Sequence, residues 1–218
     1  MKTSNVTALA ALTAFGIAST ASANILQNGG FEAGAGADAA DWAEIIGGPS
    51  GSTERSTTMP NSGNASAYMW FDHIANPAAG GAYFIEQNQG ANVVLDTESY
   101  DLSFFAKVDS TDFTGTDMFV QILWLDQDGS DGGGVKGEML TSLVGLGINT
   151  SYQQFTMNGL DVAAGADSFI LRFQVSAGAV DNVANGMYVD DASLALVPTP
   201  ASAAVLGLGG LVAMRRRR

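Results

Sequence analysis

Short runs in which apolar and polar residues alternate one for one, each cut off by glycine, asparagine, aspartate or serine, constrain this chain more than any other feature. Side chains on an extended strand point alternately to opposite faces, so this alternation describes strands with one buried face and one wet face. Residues 65–73 place Ala65, Ala67, Met69 and Phe71 on one face and Ser66, Tyr68, Trp70 and Asp72 on the other. Residues 100–108 turn Tyr100, Leu102, Phe104, Ala106 and Val108 inward. Residues 168–176 turn Phe169, Leu171, Phe173 and Val175 inward and leave Arg172 and Gln174 outside. Residues 118–125 are apolar on both faces, as a covered central strand would be. Further strands are read at 24–32, 42–46, 82–88, 152–160 and 186–197, with glycine- or alanine-rich loops at 33–41, 47–64, 74–81, 126–138 and 177–185. The pattern predicts an all-β fold, an antiparallel β-sandwich of eight or nine strands in one domain over residues 24–197.

The two ends do not share this pattern. Lys2 begins a positive segment, residues 6–18 are apolar and uncharged, and Ala21-Ser22-Ala23 offers the small-x-small pattern that a signal peptidase cleaves. Residues 1–23 are therefore expected to be a removable signal peptide, cut after Ala23. At the other end Pro198-Thr199-Pro200 stops the last strand, because proline cannot continue a hydrogen-bonded ladder. Residues 201–214 carry no charge, and Arg215, Arg216, Arg217 and Arg218 follow. As a helix that run reaches about 21 Å, short of a hydrocarbon core of about 30 Å. Snorkelling arginines and a locally thinned membrane would make up the difference and keep the arginines cytoplasmic.

This three-part tail, residues 198–218, resembles the PEP-CTERM sorting signal, with Thr199 standing where that motif has its glutamate. The resemblance implies an exosortase-type membrane peptidase as partner, transient insertion into the inner membrane, cleavage near the prolines and delivery to the cell surface or exopolysaccharide. A plain tail anchor is the alternative.

All 22 acidic residues lie between the two ends, against the four basic residues Arg55, Lys107, Lys136 and Arg172, a formal charge of −18. Such a surface repels the phosphates of nucleic acid and of anionic lipid, and neither is expected as a partner of the domain. There is no cysteine, so stability must come from the core, with or without a metal.

Four segments carry a second likeness: Asn28-Gly29-Gly30-Phe31-Glu32, Ser62-Gly63-Asn64-Ala65-Ser66-Ala67, residues 100–107 (YDLSFFAK) and Tyr188-Val189-Asp190-Asp191-Ala192-Ser193-Leu194. In this order they resemble the galactose-binding-like jelly roll of carbohydrate-binding modules. The resemblance implies a structural calcium ion held by Glu32 and Asp190, its shell completed by carbonyl oxygens. Taken alone, alternation puts Tyr188, Asp190, Ala192 and Leu194 on one face, and Leu194 belongs to the core. An inward Asp190 is costly unless it meets hydrogen-bond donors or a cation, so it either caps loop amides or holds a metal.

Asp126, Asp128, Ser130 and Asp131 open like a calcium loop, but Asp131 stands where glycine is needed and Gly137 where the bidentate glutamate should be, so a hairpin turn is expected. The outward rings Tyr68, Trp70 and Phe105, with Lys107, Arg172 and Gln174, suit a polysaccharide: rings cover the apolar face of a pyranose while polar groups read its hydroxyls. Packing of Trp70 under a loop is the alternative. The single histidine, His73, follows Asp72 with no nucleophile motif near it, and it is expected to pack in a loop. The expectation is an exported, surface-associated binding protein without catalysis. A glycan hydrolase or lyase and a purely structural matrix protein are the alternatives.

Overall fold

The computed structural model describes residues 23–72, 80–126, 134–178 and 183–198. Ala21, Thr199, Pro200 and Arg215 to Arg218, with the rest of both predicted sorting segments beyond Ala23 and Pro198, lie outside the described residues, as do His73, Asp128, Ser130 and Asp131.

The strands are β1 (Gly34–Ala35), β2 (Asp38–Ala39), β3 (Ala43–Gly47), β4 (Gly51–Ser56), β5 (Ser66–Phe71), β6 (Gly81–Gln89), β7 (Ser99–Val108), β8 (Thr116–Leu125), β9 (Val135–Ser142), β10 (Gln153–Asp161), β11 (Ser168–Ala177) and β12 (Asn185–Leu196). β1 and β2 form a small ribbon. The rest build two five-stranded antiparallel sheets, β10-β7-β12-β5-β4 and β3-β6-β11-β8-β9. Only β4–β5 and β8–β9 are sequential neighbours within one of these sheets; from β3 onward every other step crosses between them.

Alternation fills the space between the layers. Ala67, Met69 and Phe71 of β5 and Leu102, Phe104 and Ala106 of β7 meet Ile85, Phe169, Leu171 and Phe173 of the second sheet, all fully buried. Phe104 meets Phe173 edge-on at 4.9 Å and stacks on Phe155 at 5.5 Å. Each large apolar side chain buried this way contributes about 1.5–3 kcal/mol. In a chain without disulfides, this layer is the main source of stability.

Four segments differ from the expectation. Residues 24–32 are not a strand: beyond one bridge, Asn24 to Ala195, Asn28 and Phe31 take positive φ (48° and 56°). The Asn28 side chain bonds the main chain of Ala33 and Ala40, a local arrangement that competes with a ladder. β4 lies inside the expected 47–64 loop because its inward positions, Gly51, Thr53 and Arg55, carry no large apolar side chain. β9 is an edge strand with little buried surface, so it carries no clear alternation.

The fourth difference is in β12. Its register against β7 slips between Asp190 and Ser193, and Asp191 has φ 51°. This β-bulge resets the side-chain phase. Met187 and Val189 face the core before it and Ala192 and Leu194 after it, while Tyr188 and Asp190 lie on the outer side, paired with the outward Lys107 and Phe105. Asp190 therefore does not share a face with Leu194, as strict alternation required.

Candidate functional site

The fold divides the expected sugar-contacting residues between the two outer faces of the sandwich. Tyr68, Trp70, Phe105 and Lys107 lie on the first sheet, Arg172 and Gln174 on the second.

On the first sheet, strand register lines up Lys107, Tyr188, Tyr68 and Glu54. The Tyr68 and Tyr188 rings stack at 4.2 Å, and the Lys107 ammonium sits 4.8 Å from the Tyr188 ring centre and 5.6 Å from that of Tyr152. Tyr68 donates its hydroxyl to Asp109 at 2.7 Å, and burial together with that carboxylate raises its pKa. Part of this face is roofed. Lys107 Nζ donates to Met59 Sδ at 2.9 Å, and the Tyr152 hydroxyl donates to the Met59 carbonyl at 2.6 Å.

The roof is tied down by the acids expected to hold calcium. Asp190, 0% exposed, accepts at Oδ2 from the main-chain N–H of Asn61 (2.8 Å) and Ser62 (3.1 Å) and at Oδ1 from that of Asp191 (2.7 Å). Asp191 accepts from Asn61 Nδ2 and Ser62 Oγ. Glu32 Oε1 accepts from the N–H of Asn64 (2.8 Å) and Ala65 (3.1 Å), and the Asn64 N–H foremost holds its pKa below the usual value. The fold thus brings Glu32 and Asp190 to one loop, 61–65. Burial raises the Asp190 carboxyl to about 6 against the pull of its three N–H donors.

This arrangement does not fit a calcium ion. Both carboxylates face N–H protons, which repel a cation. The carbonyl oxygens of Phe31 and Glu32 already accept from Arg55, at 2.7 and 3.1 Å. Among the described residues no group of three acids is placed to hold a metal. Asp126, from the other acidic cluster, pairs instead with Lys136 of β9 at 2.6 Å.

On the second sheet the outer face is a grid of planar groups. Across β6, β11, β8 and β9, register aligns Glu86, Arg172, Gln121 and Leu140 in one row and Phe84, Gln174, Phe119 and Ser142 in the next. Arg172 donates from Nε (2.8 Å) and Nη2 (2.6 Å) to Glu86 Oε2 and from Nη1 (3.1 Å) to Gln121 Oε1. Gln121 in turn donates to Glu138 at 2.6 Å. The guanidinium lies 4.3 Å over the Phe84 ring. The Arg172 and Glu86 side chains are 12% and 16% exposed, shielded enough for the pair to hold its geometry. Gln174 donates to Ser176.

Phe84, Glu86, Gln121 and Phe119 were not expected at a site. Their signal in sequence is only outward placement on strands, and which strands are neighbours is decided by the crossovers. Tyr188 and Asp109 were missed because the bulge sets the face of one and a strand end holds the other.

No family model and no curated protein matches the chain. Solved structures do. An arabinose-bound GH51 α-L-arabinofuranosidase aligns at 17% identity and TM-score 0.55, covering 81% of this chain and 27% of its own, so this chain spans about a quarter of that protein. The Stig cyclase Fisc from Fischerella sp. TAU, in complex with an indole compound, aligns at 14% identity and TM-score 0.52 over 83% of this chain and 100% of its own. A carbohydrate-binding module of the β-sandwich superfamily aligns at 10% identity and TM-score 0.49 over 72% of this chain and 57% of its own. At these identities the likeness is one of fold. The chain is a two-sheet β-sandwich whose structural neighbours include carbohydrate-binding modules and a cyclase.

Proposed function

We propose that the chain is a non-catalytic glycan-binding protein that acts outside the cytoplasm, with the outer face of the second sheet as its polysaccharide platform. The observation that supports this most directly is the Arg172 guanidinium, laid over Phe84 and fixed by Glu86 and Gln121 in a grid of rings and amides. A sugar chain needs flat apolar surface for its C–H faces and oriented donors and acceptors for its hydroxyls, and preorganised groups lower the entropic cost of binding. Electrophoresis through gels containing neutral polysaccharides should retard the protein in at least one. Arg172→Ala should weaken that retardation about tenfold, the loss of one or two charge-assisted hydrogen bonds, with an unchanged circular dichroism spectrum. Retardation that survives the substitution would refute the platform. Release of reducing ends during the run would turn the reading to a hydrolase or lyase.

The same proposal includes export after signal-peptidase cleavage at Ala23, transient membrane insertion of the tail, exosortase-type processing and association with surface polysaccharide. The uncharged run ending in four arginines supports it. Deleting residues 198–218 should move the protein from the cell surface into the soluble extracytoplasmic fraction. Unaltered surface retention would refute a sorting role for the tail.

A further inference from the structure

On the first sheet, beside the Tyr68–Tyr188 stack, the outer face opens into a cleft of about 200 Å³ lined by Tyr68, Trp70, Asp72, Asp109 and Asn185. A glycine beside it sets the position of two of these side chains. Gly186 pairs with Trp70 across β12 and β5, and a Cβ there would stand 2.6 Å from both Tyr68 Cε2 and Asp109 Oδ2. The missing side chain lets the Tyr68 ring lie across β12 and reach Asp109.

Asn185 is committed to the fold: its Nδ2 donates to the carbonyls of Ser110 and Asp112. The Trp70 indole N–H and Asp109 Oδ1 are not committed: neither has a hydrogen-bond partner among the described residues, while Asp109 Oδ2 is held by the Tyr68 hydroxyl.

We propose that this cleft is a second ligand site, separate from the platform on the opposite sheet, and that it takes one uncharged pyranose ring with adjacent hydroxyls. The indole of Trp70 offers an apolar face for the ring's C–H groups, and Asp109 offers a carboxylate acceptor for its hydroxyls, the stronger kind of hydrogen bond. The volume is below the roughly 300–1,000 Å³ of sites for larger organic ligands, so it admits one ring rather than a chain. Asp72 and Asp109 together disfavour a uronic acid. The nearest base in the row, Lys107, already faces Tyr188 and Met59. The inference does not depend on the platform, because the two faces share no side chain.

Tryptophan fluorescence of the full chain reads this site cleanly, since Trp42 and Trp124 are 5% and 4% exposed in the core and Trp70 is the third and last tryptophan. Methyl β-D-glucoside, methyl β-D-galactoside and methyl α-D-mannoside should be titrated separately, with D-glucuronate as the charged control. At least one methyl glycoside should give a saturating change with a millimolar midpoint, and glucuronate none. Asp109→Asn should raise the midpoint about fivefold or more, the loss of a charge-assisted bond. Trp70→Phe should abolish the fluorescence change while calorimetry still detects weakened binding. Arg172→Ala should leave the midpoint unchanged. Failure of all three glycosides to saturate, or a midpoint indifferent to Asp109→Asn, would overturn the site. A midpoint moved by Arg172→Ala would overturn it as well, by assigning the signal to the second sheet.

Discussion

Replacing Asp190 by alanine should destabilise the domain by about 3 kcal/mol at neutral pH, because it removes a fully buried carboxylate that accepts from the N–H groups of Asn61, Ser62 and Asp191. For a domain of this size that corresponds to a melting temperature lower by about 6–12 °C. EDTA should leave the wild-type melting temperature where it is, since the Glu32 and Asp190 carboxylates already accept from N–H groups and the Phe31 and Glu32 carbonyls from Arg55. A fall in EDTA that matches the substitution would instead restore the cation. The effect should also depend on pH in a definite direction. The folded carboxyl keeps its proton up to about 6, whereas the unfolded one loses it near 3.8. Between those values the folded state binds more protons, so the contribution of this group is full below the lower value and declines as pH rises through the upper one. The difference between wild type and Asp190→Ala, measured by denaturant titration, should therefore be larger at pH 4.5 than at pH 7.5, by on the order of 2 kcal/mol. A difference that grows toward pH 7.5 would show that the carboxyl is not shifted upward.

Gly29→Ala is expected to cost about 3 kcal/mol, at the upper end of what overpacking usually costs. A Cβ at Gly29 would stand 2.0 Å from the main-chain oxygen of Ala192, just past the bulge. That oxygen cannot swing aside, because it also accepts from Asn24 Nδ2, and the Ala192 N–H donates to the Gly29 carbonyl at 2.8 Å. The opening segment would have to lift off β12, loosening Glu32 and with it the 61–65 loop. Gly90→Ala is the matching control: nothing lies within 4 Å of its Cβ position, and it should be neutral or slightly stabilising. If the two substitutions proved equally harmless by thermal denaturation, the close approach of the opening segment to β12 would be wrong.

These two positions tie the opening motif to the closing one. Gly29 allows the approach, Glu32 caps the Asn64 and Ala65 amides, and Asp190 caps those of Asn61 and Ser62. The loop they hold roofs part of the first sheet, which leaves the end near Trp70 and Asp109 as the cleft on that side. The fold itself does not decide between binding and catalysis, since a cyclase shares it.

Local chain chemistry alone determined a good part of this molecule. Alternation in 65–72, 100–108 and 168–176 named the buried faces of β5, β7 and β11 residue by residue, because an extended backbone turns each side chain by half a revolution and only one side of a sandwich is dry. It could not register a bulge, whose single extra residue is invisible in composition, so the faces of Tyr188 and Asp190 came out reversed. It missed β4 and β9, edge strands with small or polar residues and little buried surface to impose a pattern. Above all, it left open which outward residues share a surface. Arg172 and Trp70 both point away from the core, yet they lie on opposite sides of the protein, because strand neighbours are set by long-range crossovers whose pairing no local segment encodes.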